Sequence, residues 1–275
     1  MKLSYQTFSY LNYPFEEVLT RLANLGYDGV EISAASECGT FYPSVFNSER
    51  VEQVVKKAKA LNLEIVSYDC ELLPASGWNI DSPLGWVRKR TVDYIKSSIL
   101  KARELGAKFV VVVAGRSLYR VKRQDSWNWA VEGFKECARF AQDNGICLVL
   151  EHLTLLEGNV VVTLDDLLSM IEEVNSKNFA ALLDTGHVNV NGESLTDYVF
   201  RLKDKLKHIH IDDNNGRSDD HLPPGKGTIN FDPLFNALKK VNYEGYLSIE
   251  PSFAFSIDPD SAAFQGIKFL KKYVK

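Results

Sequence analysis

The chain repeats one arrangement of residues along most of its length. A stretch with the apolar spacing of an amphipathic helix ends near a glycine or an asparagine, and a short apolar run follows at once. The arrangement is visible in NLGYDGVEIS, ALNLEIVSYD, ELGAKFVVVVAG, DNGICLVLEH, SKNFAALLDTGH, KLKHIHIDD and NYEGYLSIEP. Glycine tolerates the left-handed backbone with which many helices end. The repeat therefore predicts helices that alternate with strands.

The apolar runs indicate which kind of sheet these strands form. They are short and rich in valine, isoleucine and leucine, which is typical of strands buried on both faces of a parallel sheet. An opening strand at KLSYQT completes a set of eight β-α units. Eight such units in 275 residues predict an α/β fold, a (β/α)8 TIM barrel, formed as a single domain by residues 1–275. A doubly wound sheet is the competing architecture, but no Gly-rich GxGxxG follows the first strand.

The net charge indicates which kinds of binding partner to expect, and the cysteine pattern indicates the cellular compartment. The formal net charge is −4 at pH 7, which disfavours a nucleic-acid partner because such partners are bound by basic patches. The four cysteines are scattered without a CxxC pair, and this pattern favours a reducing compartment. The N-terminal segment lacks the apolar core of a secretory signal, and the longest apolar run is too short to cross a bilayer. We therefore expect a cytoplasmic protein with no membrane partner.

Polar residues that can bind a metal end four consecutive predicted strands. In a parallel barrel, the chemistry gathers at the C-terminal ends of the strands. In ICLVLE, KHIHID and GYLSIE, alternation directs the apolar side chains toward the helices and the polar one toward the barrel axis. The four residues are Glu151 in ICLVLE, Asp184 in FAALLD, His210 in KHIHID and Glu250 in GYLSIE.

Three carboxylates at one point on the axis would repel each other. Buried like charges require neutralisation, and one divalent metal ion supplies it. Three carboxylates with one imidazole suit Mn²⁺, Co²⁺, Mg²⁺ or Zn²⁺. The alternative is that each acid only caps the loop or helix after its strand. Four ligand-type residues in consecutive strands favour the metal site.

These residues resemble the xylose-isomerase-like barrel superfamily, which contains sugar isomerases, ketose 3-epimerases and type II apurinic endonucleases. The matching segments are LGYDGVEI, LEHLTLLEGNVV, LLDTGH, HIHIDD with DDHLPPGKG, and EGYLSIEP, and they cover nearly the whole chain. The segment LEHLTLLEGNVV is most similar to ketose 3-epimerases, including the fructoselysine 3-epimerase type. The four strand ends together with HLPPGKG form the specific part of the resemblance.

The resemblance implies a role for each residue of the quartet. Epimerases of this superfamily hold one divalent metal through Glu, Asp, His and Glu, which here are Glu151, Asp184, His210 and Glu250. The two glutamates of those enzymes also act as acid and base, so Glu151 and Glu250 are the expected catalytic residues.

The resemblance also implies three substrate contacts. Glu157 lies six residues after the first metal glutamate, and His187 lies three after the aspartate. Arg217 matches an arginine that follows the seventh strand, although its spacing from the metal histidine is shifted. The expected partner is a small-molecule sugar, and barrels of this kind often associate into homo-oligomers.

The expected reaction is the removal of a proton next to a ketose carbonyl through a cis-enediolate. Epimerisation at C3 of a ketose, a ketose phosphate or a ketose–amine conjugate is the leading expectation for this sugar epimerase or isomerase. Aldose–ketose isomerisation and the dehydration of a keto-polyol use the same kind of intermediate, so a dehydratase remains the alternative. A non-catalytic sugar-binding protein would need no metal quartet.

A phosphodiesterase of the endonuclease branch is the remaining alternative. His187, Asp219 and His221 match a metal site of that branch, so Asp219 and His221 either bind a second metal or support their loop. The same branch also needs histidines at the ends of the third and fourth strands. The present chain has VSYD and VVAG there, and its acidic charge disfavours DNA.

Overall fold

Eight parallel strands form one sheet in the computed structural model, which describes residues 1–72 and 77–274. The strands overlap the predicted apolar runs, as is typical of strands that are buried on both faces of a parallel sheet. Their bounds are β1 Lys2–Tyr5, β2 Gly29–Ser33, β3 Glu64–Asp69, β4 Phe109–Val113, β5 Cys147–Glu151, β6 Phe179–Asp184, β7 Leu206–Ile211 and β8 Tyr246–Ile249.

The strand order is β1-β8-β7-β6-β5-β4-β3-β2, with every pair parallel. A parallel bridge between Gln6 and Glu31 joins the two ends of this order. The register sets the height of the predicted site, since Asp184 lies opposite His210 in the pairing of β6 with β7. The predicted (β/α)8 barrel is confirmed.

Helices follow the strands and cover the outside of the sheet. The predicted glycine signals are correct at α1 and α4, which end at Gly26 and Gly106 with φ of 87° and 75°, a conformation that glycine adopts at little energetic cost. The α-helices are α1 Phe15–Leu25, α2 Ser36–Gly39, α3 Ser48–Ala60, α4 Gly85–Leu105, α5 Arg123–Asp143, α6 Leu164–Val174, α7 Thr185–Val190, α8 Leu195–Leu202, α9 Asp232–Lys240 and α10 Pro259–Leu270.

The apolar core has two parts. The larger one lies between the strands and the helices, and it includes Leu148 and Leu150 of β5. The smaller one lies inside the barrel, where Val149 of β5 packs with side chains of β4 and β6. Because the two faces of β5 alternate in this way, Glu151 points to the barrel axis, as predicted. Within the described ranges, no helix combines the length and apolar character needed to cross a membrane.

Candidate active site

The four strand-end residues predicted as metal ligands converge at the C-terminal mouth of the barrel. Glu151 ends β5, Asp184 ends β6, His210 lies in β7, and Glu250 directly follows β8. Nδ1 of His210 lies 2.7 Å from Oε2 of Glu250 and 3.1 Å from Oε1 of Glu151. One donor atom from each of the four residues lies within 4.8 Å of the other three. The sequence-based grouping therefore corresponds to a compact cluster of side chains.

The cluster fits a divalent cation in both chemistry and hydrogen bonding. Oδ1 of Asp184 accepts a hydrogen bond from the backbone N–H of His187 at 2.7 Å, whereas its Oδ2 is buried and accepts none from the described residues. A buried carboxylate oxygen without a donor is unfavourable, and a cation would satisfy it. Carboxylate oxygens with one imidazole nitrogen form a ligand set suited to such an ion.

Glu31 of β2 orients the histidine of this cluster, and sequence reasoning did not predict this contact. Oε1 of Glu31 lies 2.7 Å from Nε2 of His210, and its Oε2 lies 2.6 Å from Nε2 of His208. Because a carboxylate only accepts hydrogen bonds, Nε2 of each histidine must carry a hydrogen and donate it. This leaves Nδ1 of His210 free to bind a metal. The one available signal was alternation in GVEIS, which directs Glu31 inward between two apolar neighbours.

Electrostatics couples Glu31 to His210. Burial alone would raise the pKa of Glu31, but the two histidines it contacts hold that pKa well below its usual range. Burial would likewise lower the pKa of His210, but the surrounding carboxylates, first Glu250 and then Glu31, raise it well above its ordinary value. Glu31 is therefore a fixed negative charge directly behind the histidine.

A second group of polar side chains lies beside the quartet. Oδ2 of Asp219 lies 2.9 Å from Nε2 of His187 and 2.9 Å from Nε2 of His221. Nδ1 of His221 in turn lies 3.0 Å from Oδ2 of Asp212. The contacts hold the pKa of Asp219 below its usual range despite its burial. Glu157, with Oε2 3.3 Å from Nε2 of His187, completes a cluster whose donor atoms could also hold an ion.

The three predicted substrate contacts fall into two classes. Glu157 and His187 line the cavity above the quartet. His187 is fixed there, because its Nδ1 donates to the backbone carbonyl of His152 at 2.8 Å. Arg217 is exposed in the loop after β7 and is not among the residues that line the cavity. The structure therefore brings the first two together with the quartet and leaves Arg217 outside.

The cavity has a volume of about 400 Å³ and opens at the barrel mouth. One wall carries Glu151, Glu250 and the residues around His187, and the facing wall carries acidic residues of β3 and its following loop, Asp69 and Glu71. Apolar surface comes from Phe8, Leu72, Val113, Leu153, Pro251 and Phe253. No lysine or arginine lines the part of the cavity formed by the described residues. Such a cavity suits a small polar molecule with apolar faces.

Comparison with known proteins agrees with this architecture. The family model described as xylose isomerase-like TIM barrel matches residues 19–273. The chain belongs to this family. It is 29% identical to the fructoselysine 3-epimerase of Shigella flexneri, over 98% of this chain and 96% of that protein. It is 26% identical to the inosose dehydratase of Clostridium perfringens, over 94% and 89% of the two chains.

Solved structures give the same result. A D-tagatose 3-epimerase-like protein superposes with a TM-score of 0.85 at 26% identity, and the match covers 100% of this chain and 97% of that one. The expectation of an enzyme of the sugar-epimerase type is confirmed by these relatives.

Proposed function

We propose that the protein is a divalent-metal-dependent epimerase that inverts C3 of a ketose. The observation that carries this proposal is the placement of Glu151 and Glu250, which both line the cavity and both contact His210. They come from β5 and β8, with β6 and β7 between them. A substrate held between these strands would meet one carboxyl group on each of its two faces.

Inversion at C3 requires two proton transfers on opposite faces. One glutamate, as carboxylate, takes the proton from C3, and the C–H electron pair forms a C2=C3 double bond as the carbonyl oxygen gains negative charge. The other glutamate, as carboxylic acid, returns a proton to C3 from the opposite face. A bound divalent cation supplies electrostatic stabilisation of the charge that develops on the substrate oxygens.

The remaining residues orient these groups. Glu31 holds His210, and Asp184 is held by the backbone of His187. In this proposal Glu157 and His187 bind substrate hydroxyl groups, since both line the cavity beside Glu151. Asp219 supports this arrangement through its contact with His187, and His221 contacts Asp219 in turn. Arg217 stays a predicted substrate contact that the present side-chain conformation leaves outside the cavity.

A dehydratase is the second candidate function, and the similarity to inosose dehydratase favours it. Elimination of water next to a carbonyl begins with the same proton transfer to a glutamate. The two reactions then differ in whether C3 receives a proton or the neighbouring carbon loses a hydroxyl group.

Deuterium exchange tests both candidates. The protein, loaded with Mn²⁺ or Co²⁺, is incubated in D₂O with a panel of ketoses, and deuterium at C3 is measured by NMR along with the products. We expect exchange together with C3 inversion. Glu151→Gln and Glu250→Gln should each abolish turnover. Glu132→Gln, a change at an exposed residue of α5, should not. Loss of water without inversion would favour the dehydratase, and near-normal activity of either site variant would contradict the mechanism.

A further inference from the structure

The wall opposite the proposed acid–base pair carries two carboxylates that the reaction does not use. Nε2 of Gln6 donates to Oδ2 of Asp69 at 3.0 Å and to Oε1 of Glu71 at 3.3 Å. The hydroxyl of Ser33 donates to the same Oε1 at 2.5 Å. The backbone N–H of Glu71 donates to Oδ1 of Asp69 at 3.0 Å. The two acids are thus held side by side, with both facing the cavity.

This acidic pair has an unused acceptor. Glu71 is only 9% exposed, yet within residues 1–72 and 77–274 no donor reaches its Oε2. Both oxygens of Asp69 and Oε1 of Glu71 are occupied by neutral donors. Because Glu71 lines the cavity, its Oε2 is an acceptor that a donor group of a bound ligand can use.

The pair also lacks a counter-charge. None of the described residues forms a salt bridge with Asp69 or Glu71, whereas His210 and His187 lie among the carboxylates of the opposite wall. Burial, together with neighbouring acids, raises the pKa of both groups, to about 7 for Glu71. Two buried carboxylates without a cation are unfavourable, so a ligand that brings positive charge would be stabilised there.

We infer that Asp69 and Glu71 form a subsite for an ammonium group carried by the ketose, so that the substrate is an amine-bearing ketose. The inference rests on the proposed function, since it concerns the same cavity. An ammonium group is a compact cation with up to three donors, and it can reach the free Oε2 of Glu71 and bridge to Asp69. A phosphate would instead meet two carboxylates in a cavity whose described lining contains no lysine or arginine, and like charges repel there.

A comparison of matched substrates can measure the effect of the ammonium charge alone. The metal-loaded protein is assayed at pH 7 by deuterium exchange with 1-amino-1-deoxy-D-fructose and 6-amino-6-deoxy-D-fructose, and with the N-acetyl derivative of each, which keeps the substituent but removes the charge. D-fructose and D-fructose 6-phosphate complete the panel. We expect kcat/KM to be at least tenfold higher for one of the amines than for its N-acetyl derivative, and lowest for the phosphate.

Substitutions at Asp69 and Glu71 test whether these two residues cause the preference for the amine. In Asp69→Asn/Glu71→Gln the preference for the amine over its N-acetyl derivative should fall to within about twofold, through KM rather than kcat. Glu132→Gln should keep the full preference. Thermal melting confirms that the double variant is folded, and if it is not, each single variant replaces it with the same expectation of a reduced amine preference.

The outcomes separate this inference from the proposed function. Exchange on D-fructose without preference for either amine would overturn the subsite and leave the epimerase intact. Absence of exchange on every substrate would overturn the epimerase, and the subsite is then decided by calorimetry. Tighter binding of an amine than of its N-acetyl derivative would support the subsite, and equal binding or no binding would overturn it.

Discussion

Glu31→Gln tests whether the buried contact behind His210 controls metal binding. In the native protein, Glu31 accepts hydrogen bonds from Nε2 of His210 and of His208. Glutamine keeps the shape of the side chain but offers one acceptor oxygen and no charge. The amide oxygen of the glutamine can still accept the hydrogen bond from Nε2 of His210. His208 can turn to its other tautomer and accept from the amide, because its Nδ1 has no described partner that fixes it. The fold should therefore survive, and the negative charge alone is lost.

The expected loss of metal affinity can be estimated from the effect of similar contacts in other metal sites. A carboxylate behind a metal-binding histidine fixes its tautomer and raises its basicity, and its loss typically lowers metal affinity about 10- to 100-fold. This corresponds to about 1.4 to 2.8 kcal/mol of binding free energy. Full burial of both Glu31 and His210 places the effect toward the upper end, since water does not screen the lost charge.

Calorimetric titration with Mn²⁺ measures this change directly and does not depend on a substrate. Ser67→Ala is the matched control, because the Ser67 hydroxyl donates to Glu31 but lies outside hydrogen-bonding reach of the quartet. It should reduce affinity far less than Glu31→Gln. A Glu31→Gln protein that melts normally and binds Mn²⁺ within twofold of the native protein would refute the reasoning and leave Glu31 a purely structural residue.

Three further outcomes are expected. Adding Mn²⁺ to chelator-treated protein should raise its Tm, with about 2.7 kcal/mol of stabilisation at 100 times Kd, as scanning calorimetry can show; no shift would argue against a metal site. Elemental analysis should find one tightly bound metal per chain in both native protein and Asp219→Asn, whereas a second equivalent lost in the variant would show that Asp219 binds an ion. Glu71→Gln should raise the Tm at pH 8 and change it little at pH 4. Burial raises the pKa of Glu71 from 4.5 to about 7, so between these values only the unfolded chain releases the proton, and stability falls by about 3 kcal/mol as pH rises.

The fold and the quartet were predictable because both depend on short-range periodicity. Alternation within ICLVLE and KHIHID fixed which side chains point to the axis, and the barrel topology then placed Glu151 and His210 at one height. Only the ends of some strands differed from the prediction. The seventh ends at Ile211, whereas the expected strand ran to Asp212, whose side chain instead accepts from the backbone of Gly186.

The contacts that tune the site were not predictable from periodicity. Glu31 and His210 are far apart in sequence, and their pairing depends on how the barrel closes between β1 and β2. The closeness of Asp69 and Glu71 depends on the donor shared from Gln6 of another strand end. Arg217 could be placed on a loop by its neighbours, but no pattern in a loop fixes where a long side chain points.

The walls of the cavity also separate an epimerase from a phosphodiesterase. A site that binds a phosphodiester needs cations to meet its negative charge, either several metals or basic side chains. The third and fourth strands end here at Asp69 and Val113, which offer one carboxylate and no imidazole. Asp69 also lies next to Glu71 on the wall opposite the quartet, where a nucleic-acid backbone would be repelled. The acidic wall that faces the quartet therefore suits a neutral or cationic sugar better than a phosphate ester.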